Sequence, residues 1–233
     1  EKLPSNDKIE IAAYSMAADE VGGDYYDVIT TNNEDYQLIV GDVSGKGTSA
    51  AFNMAQMKGI FHSLAKQDIP AEDFIIRTND ALSSCLEKSS FITASYLKIA
   101  TATREIQFIR AGHCSTLYYH AKKGKAEFLK TKGMGLGIVR NSHYANYVHC
   151  NAVKYTAGDI ILLYTDGIVE AMDITGKIYG EDGLSNALHH QINENAKDLS
   201  PEKIKDGIIE DLYAFLKGKK LEDDYTLLIV KLT

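Results

Sequence analysis

Residues 24–42 read DYYDVITTNNEDYQLIVGD and contain two apolar runs around a polar centre. The runs Tyr25–Thr30 and Tyr36–Val40 have the aromatic and β-branched composition of strands. The stretch Thr31–Asp35 between them has the composition of a turn. The segment therefore predicts an antiparallel β-hairpin.

Two acidic residues stand at the open end of this hairpin. Asp24 and Asp42 lie equally far along the chain from the turn centre at Asn33, so the antiparallel register places them opposite each other. Like charges directly opposite each other destabilise a sheet. A bound cation would remove the repulsion, and the pair therefore predicts a cation at this position.

Further acidic residues stand at strand ends elsewhere in the chain. Asp166 directly follows the predicted strand Asp159–Thr165, while Asp223 and Asp224 directly precede the predicted strand Tyr225–Leu232. If these strands are antiparallel, such ends share one edge of a sheet. Four or five carboxylates there would form the all-oxygen site that Mg²⁺ or Mn²⁺ prefers. The alternative is that Gly-Asp and Asp-Gly pairs are only turn signals.

The rest of the chain predicts an α+β fold. Strands come in runs separated by helical pairs, and strict βαβα alternation is absent, which favours mainly antiparallel sheets in one domain. The remaining predicted strands are Ile9–Tyr14, Phe91–Ile99, Glu105–Arg110, Thr116–His120 and Tyr144–Tyr155. Helical spacing covers residues 50–64, 75–85 and 184–192, and a last helix beginning at Ser200–Pro201 that buries Ile204, Ile208, Leu212 and Phe215.

Composition excludes several classes of protein. The 233 residues include 25 Lys and Arg against 32 Asp and Glu, a net charge of −7, which argues against nucleic-acid binding. The apolar runs are far shorter than the ~20 residues of a membrane span. Cys85, Cys114 and Cys150 lack the spacing of a zinc site, and we interpret them as buried or half-buried thiols of a cytoplasmic protein.

Two glycine-rich segments and one histidine invite other interpretations. Residues 41–48 resemble a phosphate loop, but three residues rather than four separate Gly41 from Gly45, which argues against a P-loop NTPase. Residues 133–137 read GMGLG and predict a tight loop. His113 follows Ala111-Gly112 at a strand end, where a structural hydrogen bond is favoured over a catalytic role.

Seven motifs occur together in an order typical of one family. They are VGGDYYD (21–27), GDVSGKG (41–47), FITA (91–94), AGH (111–113), GMGLG (133–137), YTDGIVEA (164–171) and DDYT (223–226). In this combination the chain resembles the bacterial, SpoIIE/RsbU-like branch of the metal-dependent PPM Ser/Thr protein phosphatases. The resemblance runs from about residue 3 to the end of the chain.

The resemblance implies an αββα sandwich of two mainly antiparallel sheets flanked by helix pairs, with two Mn²⁺ or Mg²⁺ ions. One ion is expected on Asp24, Asp42 and the backbone carbonyl of Val43. The other is expected on Asp42, Asp166 and Asp223, so that Asp42 bridges both. The four aspartates would then act in catalysis through the metals. Whether Asp224 is also a ligand, or only neighbours the site, is left open.

The implied activity is hydrolysis of a phosphoserine or phosphothreonine by attack of a metal-activated water. The expected substrate is a phosphorylated bacterial regulatory protein, such as an anti-sigma-factor antagonist. The eukaryotic branch has Asp-Gly-His-Gly at positions 41–44, so its histidine has no counterpart here, and His113 is not assigned to that role. A catalytically degenerate domain that binds partners is the alternative.

The resemblance also implies a larger protein around this chain. Leu3-Pro4 resembles the end of the segment that follows a helix from an upstream sensor or receiver module. We therefore expect residues 1–233 to form one PPM-type domain, the C-terminal catalytic domain of a longer protein. A homodimer is left open.

Overall fold

The computed structural model describes residues 3–4, 6–18, 20–31, 33–195 and 198–233. Their contacts divide the chain into two compact units. The hairpin unit comprises Asp19–Ser115 and Lys130–Tyr155, and the terminal unit comprises Glu1–Ala18, Thr116–Leu129 and Thr156–Thr233. Each unit contains one five-stranded sheet and one pair of long helices.

The secondary structure alternates runs of strands with helices. The strands are β1 (Ile9–Met16), β2 (Tyr25–Thr30), β3 (Tyr36–Val43), β4 (Ile92–Ala100), β5 (Glu105–Ala111), β6 (Thr116–His120), β7 (Lys125–Leu129), β8 (Asn151–Lys154), β9 (Ile160–Tyr164) and β10 (Tyr225–Leu232). The helices are α1 (Thr48–Leu64), α2 (Ala71–Cys85), α3 (Asp166–Val169), α4 (Gly180–Glu194) and α5 (Pro201–Leu216).

The hairpin unit has the strand order β2-β3-β4-β5-β8, and its neighbouring strands are antiparallel. Helices α1 and α2 pack together and contact this sheet. Their buried faces contribute Met57, Phe61 and Phe74 to a hydrophobic core, and the ring of Phe74 stacks on Tyr96 of β4 at 4.5 Å between centroids. The amphipathic spacing of α1 and α2 is therefore explained by burial against one face of the sheet.

The terminal unit has the order β1-β10-β9-β6-β7, again with antiparallel neighbours. Helices α4 and α5 pack together, and α5 contacts β1 and β10. The predicted start of α5 is confirmed: Pro201 is its first residue, and the Ser200 hydroxyl accepts a hydrogen bond from the Lys203 N–H at 3.3 Å. Ile204, Ile208 and Leu212 are buried as expected.

Several predicted details are wrong. The predicted strand Tyr144–Tyr155 is instead a 3₁₀ helix, Ser142–Tyr147, followed by β8. The Asn141 side chain caps this helix by accepting from the His143 N–H at 3.0 Å, and side-chain capping of this kind competes with strand pairing. Strand β7, a five-residue edge strand, was not predicted.

Two predictions of burial also fail. Phe215 is only half-buried, and Leu216 takes the buried position at the end of α5. Cys85 is exposed, whereas Cys114 and Cys150 are partly buried, and all three are free thiols.

The predicted α+β class with two mainly antiparallel sheets is confirmed. The single-domain organisation stays a prediction beside the division into two units. No helix in the described ranges is long and apolar enough to cross a membrane.

Candidate metal centre

The hairpin register predicted from the sequence is confirmed. Tyr25 pairs with Gly41, and beyond this pair the Val43 N–H donates to the Gly23 carbonyl at 3.3 Å. Asp24 and Asp42 are thus the opposed pair between two hydrogen-bonded pairs, where Cα atoms approach to about 4.5 Å in ideal geometry. The turn closes with the Thr31 N–H donating to the Asp35 carbonyl at 2.8 Å. Asn32, within the predicted turn, lies outside the described residues.

Gly23 lets the Val43 carbonyl come close to the chain just before Asp24. A Cβ on Gly23 would lie 2.9 Å from the Val43 carbonyl oxygen and 3.4 Å from Asp42 Oδ1, so a larger residue would force these atoms apart. The Val43 side chain is buried in the core under the helices, and alternation along β3 puts Asp42 on the opposite face. Two carboxylates and a carbonyl are thereby grouped as an oxygen donor set that fits Mg²⁺ or Mn²⁺.

His113 supports the strand beside Asp42. Asp42 pairs with Thr93 of β4, and Thr93 Oγ1 shares a hydrogen bond of 2.8 Å with His113 Nδ1. His113 is buried, and its carbonyl accepts from Arg110 Nη1 at 2.9 Å. These contacts support the structural interpretation of His113.

The GMGLG segment is a loop packed against the end of β5. A Cβ on Gly133 would lie 1.5 Å from the Arg110 carbonyl oxygen, a separation that no side chain permits. Gly112 has φ +71°, and a Cβ there would lie 2.9 Å from the Gly135 nitrogen. The glycines of both motifs are therefore needed for backbone-to-backbone packing next to His113.

In the terminal unit, Asp166 and Asp223 are brought to the ends of neighbouring strands. Asp166 is the first residue of α3, which follows β9, and Asp223 lies just before β10. The strands are tied by the Thr165 N–H, which donates to the Thr226 carbonyl at 3.1 Å, and by the Thr226 N–H, which donates to Thr165 Oγ1 at 2.8 Å. Both threonines are fully buried, so these bonds fix the relative position of the two segments.

A second close approach holds the same two segments together. A Cβ on Gly167 would lie 2.0 Å from the Asp224 carbonyl oxygen. The Asp-Gly pair at the end of β9 is therefore more than a turn signal, because the glycine allows the chain after Asp166 to touch the chain after Asp223. Sequence reasoning identified the aspartates but missed α3 and this contact.

The electrostatics of Asp166 and Asp223 disfavour a negative charge on both carboxylates at once. Burial, and then the nearby Asp223 carboxylate, raise the pKa of Asp166, while a hydrogen bond from the Gly167 N–H partly offsets the rise. Asp223 Oδ1 accepts from the Asp224 N–H at 3.1 Å. Asp224 Oδ1 accepts from the Ala18 N–H at 2.8 Å, a contact between the chain preceding β10 and the chain following β1.

The structure thus describes two groups of predicted ligands, each within its own unit. Asp24, Asp42 and Val43 lie together in the hairpin unit, and Asp166 and Asp223 lie together in the terminal unit. In the part of the chain that the structure describes, no group of three or more His, Cys, Asp or Glu residues has the arrangement of a metal site.

Residues 32–233 match the family model described as Stage II sporulation protein E (SpoIIE). The chain belongs to the SpoIIE family. Among curated proteins, the phosphoserine phosphatase RsbU of Bacillus subtilis is 28% identical over 230 residues, which cover 99% of this chain and 65% of RsbU. The chain spans 38% to 65% of the length of the first curated relatives it matches.

Solved structures share the fold of this SpoIIE-family chain. The RsbU and RsbW domains of a Mycobacterium tuberculosis protein superimpose with a TM-score of 0.79 at 23% identity, covering 97% of this chain and 61% of that one. The catalytic domain of the serine/threonine protein phosphatase PstP, solved with two manganese ions, gives a TM-score of 0.70 at 12% identity, covering 97% and 99%. The predicted PPM-type fold is confirmed.

Proposed function

We propose that this chain is a metal-dependent protein-serine/threonine phosphatase domain. The observation that carries the proposal is the opposed pair Asp24 and Asp42, which the hairpin register holds beside the Val43 carbonyl. Membership of the SpoIIE family and the similarity to RsbU, a phosphoserine phosphatase, support the same activity.

The proposed metal ligands are Asp24, Asp42, Asp166, Asp223 and the Val43 carbonyl. The family pattern shares Asp42 between two ions, and the PstP structure with two manganese ions supports that number. Two bound Mn²⁺ or Mg²⁺ ions would supply an activated water and positive charge for the transferred phosphoryl group.

The chain's own residues hold these oxygens in place. The pairing of β2 with β3 fixes Asp24 against Asp42, and the Thr93–His113 hydrogen bond fixes the strand on the other side of Asp42. In the terminal unit, Asp224 is engaged with the Ala18 N–H, which supports Asp223 as the ligand of that acidic pair.

The proposed substrate is a phosphoserine or phosphothreonine of a bacterial regulatory protein, such as an anti-sigma-factor antagonist. RsbU-like relatives support this class, and an upstream sensor or receiver module would control the activity. The alternative is a degenerate domain of the same fold that only binds a partner. All four ligand positions are acidic, which counts against this alternative.

A metal-titrated assay tests the proposal. The protein, first treated with a chelator, is given increasing Mn²⁺ or Mg²⁺, and release of phosphate from a phosphoserine peptide and of p-nitrophenol from p-nitrophenyl phosphate is measured. We expect saturable, metal-dependent hydrolysis of both substrates. Hydrolysis of neither substrate at any metal concentration would favour the degenerate domain.

A further inference from the structure

The segment after Asp166 presents apolar side chains to solvent. Met172 and Ile178 form an isolated β-bridge in the connection between α3 and α4, and Ile174 lies at its tip. Met172 is 41% exposed, Ile178 54% and Ile174 67%. We call Met172, Ile174 and Ile178 the apolar ridge. Exposed apolar side chains grouped in this way mark interaction surfaces.

A buried carboxylate braces the turn that carries the apolar ridge. Asp173 is 3% exposed, and its Oδ1 accepts from the Thr175 N–H at 2.8 Å, the Thr175 hydroxyl at 2.6 Å and the Lys177 N–H at 3.1 Å. Its Oδ2 accepts from Lys217 Nζ at 3.2 Å. These bonds hold the pKa of Asp173 well below its usual range. A surface fixed before a partner arrives loses little conformational entropy on binding.

An acidic groove adjoins the apolar ridge. It has a volume of about 1080 Å³ and runs from Ile178 along the first turns of α4 to α5. Its floor includes Tyr179 and Phe215, whose rings meet edge to face at 5.2 Å. This volume is larger than one side chain needs and suits a short stretch of polypeptide.

The charge of the acidic groove selects its occupant. Three carboxylates line it, those of Glu181, Asp182 and Asp211. The basic side chains in its lining are Lys177 and His190, and His190 Nε2 lies 3.3 Å from Glu194 Oε1. Asp211 also accepts from the Tyr179 hydroxyl at 2.7 Å, which fixes one carboxylate beside the aromatic floor. Carboxylates that outnumber the cations of a groove favour a basic residue, Arg or Lys, through ion pairs.

We propose that the apolar ridge and the acidic groove dock the protein substrate through a basic segment in which Arg or Lys alternates with aliphatic residues. The inference rests on the proposed function, because α3, which begins with the ligand Asp166, leads directly into the ridge and packs against α4. The substrate is then recognised twice, by its phosphoryl group at the metals and by its basic segment at the groove.

The test measures binding separately from activity. The probe is a dye-labelled, unphosphorylated nine-residue peptide alternating Arg and Leu, and the reference replaces each Arg by Glu. Fluorescence anisotropy should give a Kd at least tenfold lower for the Arg peptide. Asp182→Lys should weaken binding at least tenfold and Ile174→Ser about threefold. Asp206→Lys, which changes an exposed carboxylate of α5 outside the groove, is the matched control.

Three results would overturn the docking surface. The two peptides could bind equally, Asp182→Lys and Asp206→Lys could weaken binding equally, or Ile174→Ser could convert a dimer to a monomer in sedimentation, which would assign the ridge to a second copy of this chain. Hydrolysis of p-nitrophenyl phosphate by the unmodified protein reports on the proposed function alone. Tenfold selectivity for the Arg peptide, without hydrolysis of either p-nitrophenyl phosphate or the phosphoserine peptide, would retain a surface that binds basic segments and reject the phosphatase.

Discussion

In the hairpin unit, Asp24 and Asp42 are brought together by two strands joined through a short turn, whereas in the terminal unit Asp166 and Asp223 come from strands separated by α4 and α5. The first pair follows from local register. The second depends on β9 and β10 finding each other across a long connection, which costs more loop-closure entropy. One half of the proposed centre is thus set by a hairpin, and the other by tertiary packing.

The two halves also differ in how closely the backbone approaches a glycine beside the ligands. In the hairpin unit a Cβ on Gly23 would meet the Val43 carbonyl oxygen at 2.9 Å, while in the terminal unit a Cβ on Gly167 would meet the Asp224 carbonyl oxygen at 2.0 Å. In the terminal unit the two segments are also joined by the buried Thr165–Thr226 hydrogen bonds. The pair that is distant in sequence is thus accompanied by the closer backbone approach.

The largest expected effect is the loss of activity in Asp42→Ala. Because Asp42 is proposed to bind both ions, its removal should reduce turnover about 10³-fold or more, the equivalent of several kcal/mol of charge stabilisation. Hydrolysis of p-nitrophenyl phosphate at saturating Mn²⁺ measures this, with circular dichroism as a check of folding. Asp68→Ala, at an exposed carboxylate of the same unit, is the control. Equal rates in Asp42→Ala and the unmodified protein would refute the assignment.

The glycine contacts predict unequal losses of stability. Gly167→Ala should lower the free energy of unfolding by about 3 kcal/mol and Gly23→Ala by about 1 kcal/mol, since overpacking against backbone costs more as the clash deepens. Urea denaturation checks both values. Gly59→Ala is the control, because a Cβ there meets nothing within 4 Å in α1, and it should stabilise the helix by about 0.5–1 kcal/mol. The reverse order of the two losses would contradict the comparison.

Metal binding should stabilise the fold. At a Mn²⁺ concentration near 100 times Kd, mass action adds about 2.7 kcal/mol, or roughly 5–10 °C in Tm for a chain of this size. Differential scanning fluorimetry of the unmodified protein, Asp42→Ala and Asp68→Ala measures the shift. We expect Asp42→Ala to lose it and Asp68→Ala to keep it. A shift of equal size in all three proteins would indicate that Mn²⁺ binds elsewhere.

The smallest effect concerns Asp166 in the metal-free protein. Folding raises the pKa of Asp166, so the protonated carboxyl is favoured in the folded state. Its contribution to the free energy of unfolding is therefore present at low pH and is lost as the pH rises through the pKa of the folded state. Asp166→Asn should therefore raise the urea midpoint slightly at pH 7, and the gain should vanish below about pH 4, where Asp is protonated in both states. Asp206→Asn serves as the exposed control. A lower midpoint for Asp166→Asn at pH 7 would contradict the inferred repulsion.

The two units also differ in how much of their ligand geometry is predictable from the sequence. The opposition of Asp24 and Asp42 was predictable because a two-stranded hairpin fixes its register through its turn. The aspartates at residues 166 and 223 were predicted only as strand ends, since no local pattern shows that β9 neighbours β10. The 3₁₀ helix at Ser142–Tyr147 was missed because the Asn141 cap outweighs the strand propensity of the residues that follow.

The pairing of β1 with β10 has a consequence for synthesis on the ribosome. β1 forms an edge of its sheet, and the strand beside it, β10, is translated more than 200 residues later, about 10–40 s at usual elongation rates. The segments of the hairpin unit have all been translated by Tyr155, so that unit can fold while Ile9–Met16 still waits for its partner. During this interval β1 is an apolar segment open to chaperones or to wrong pairing. Nascent chains stalled before Tyr225 should therefore bind a holdase chaperone through β1, and release it once β10 has emerged.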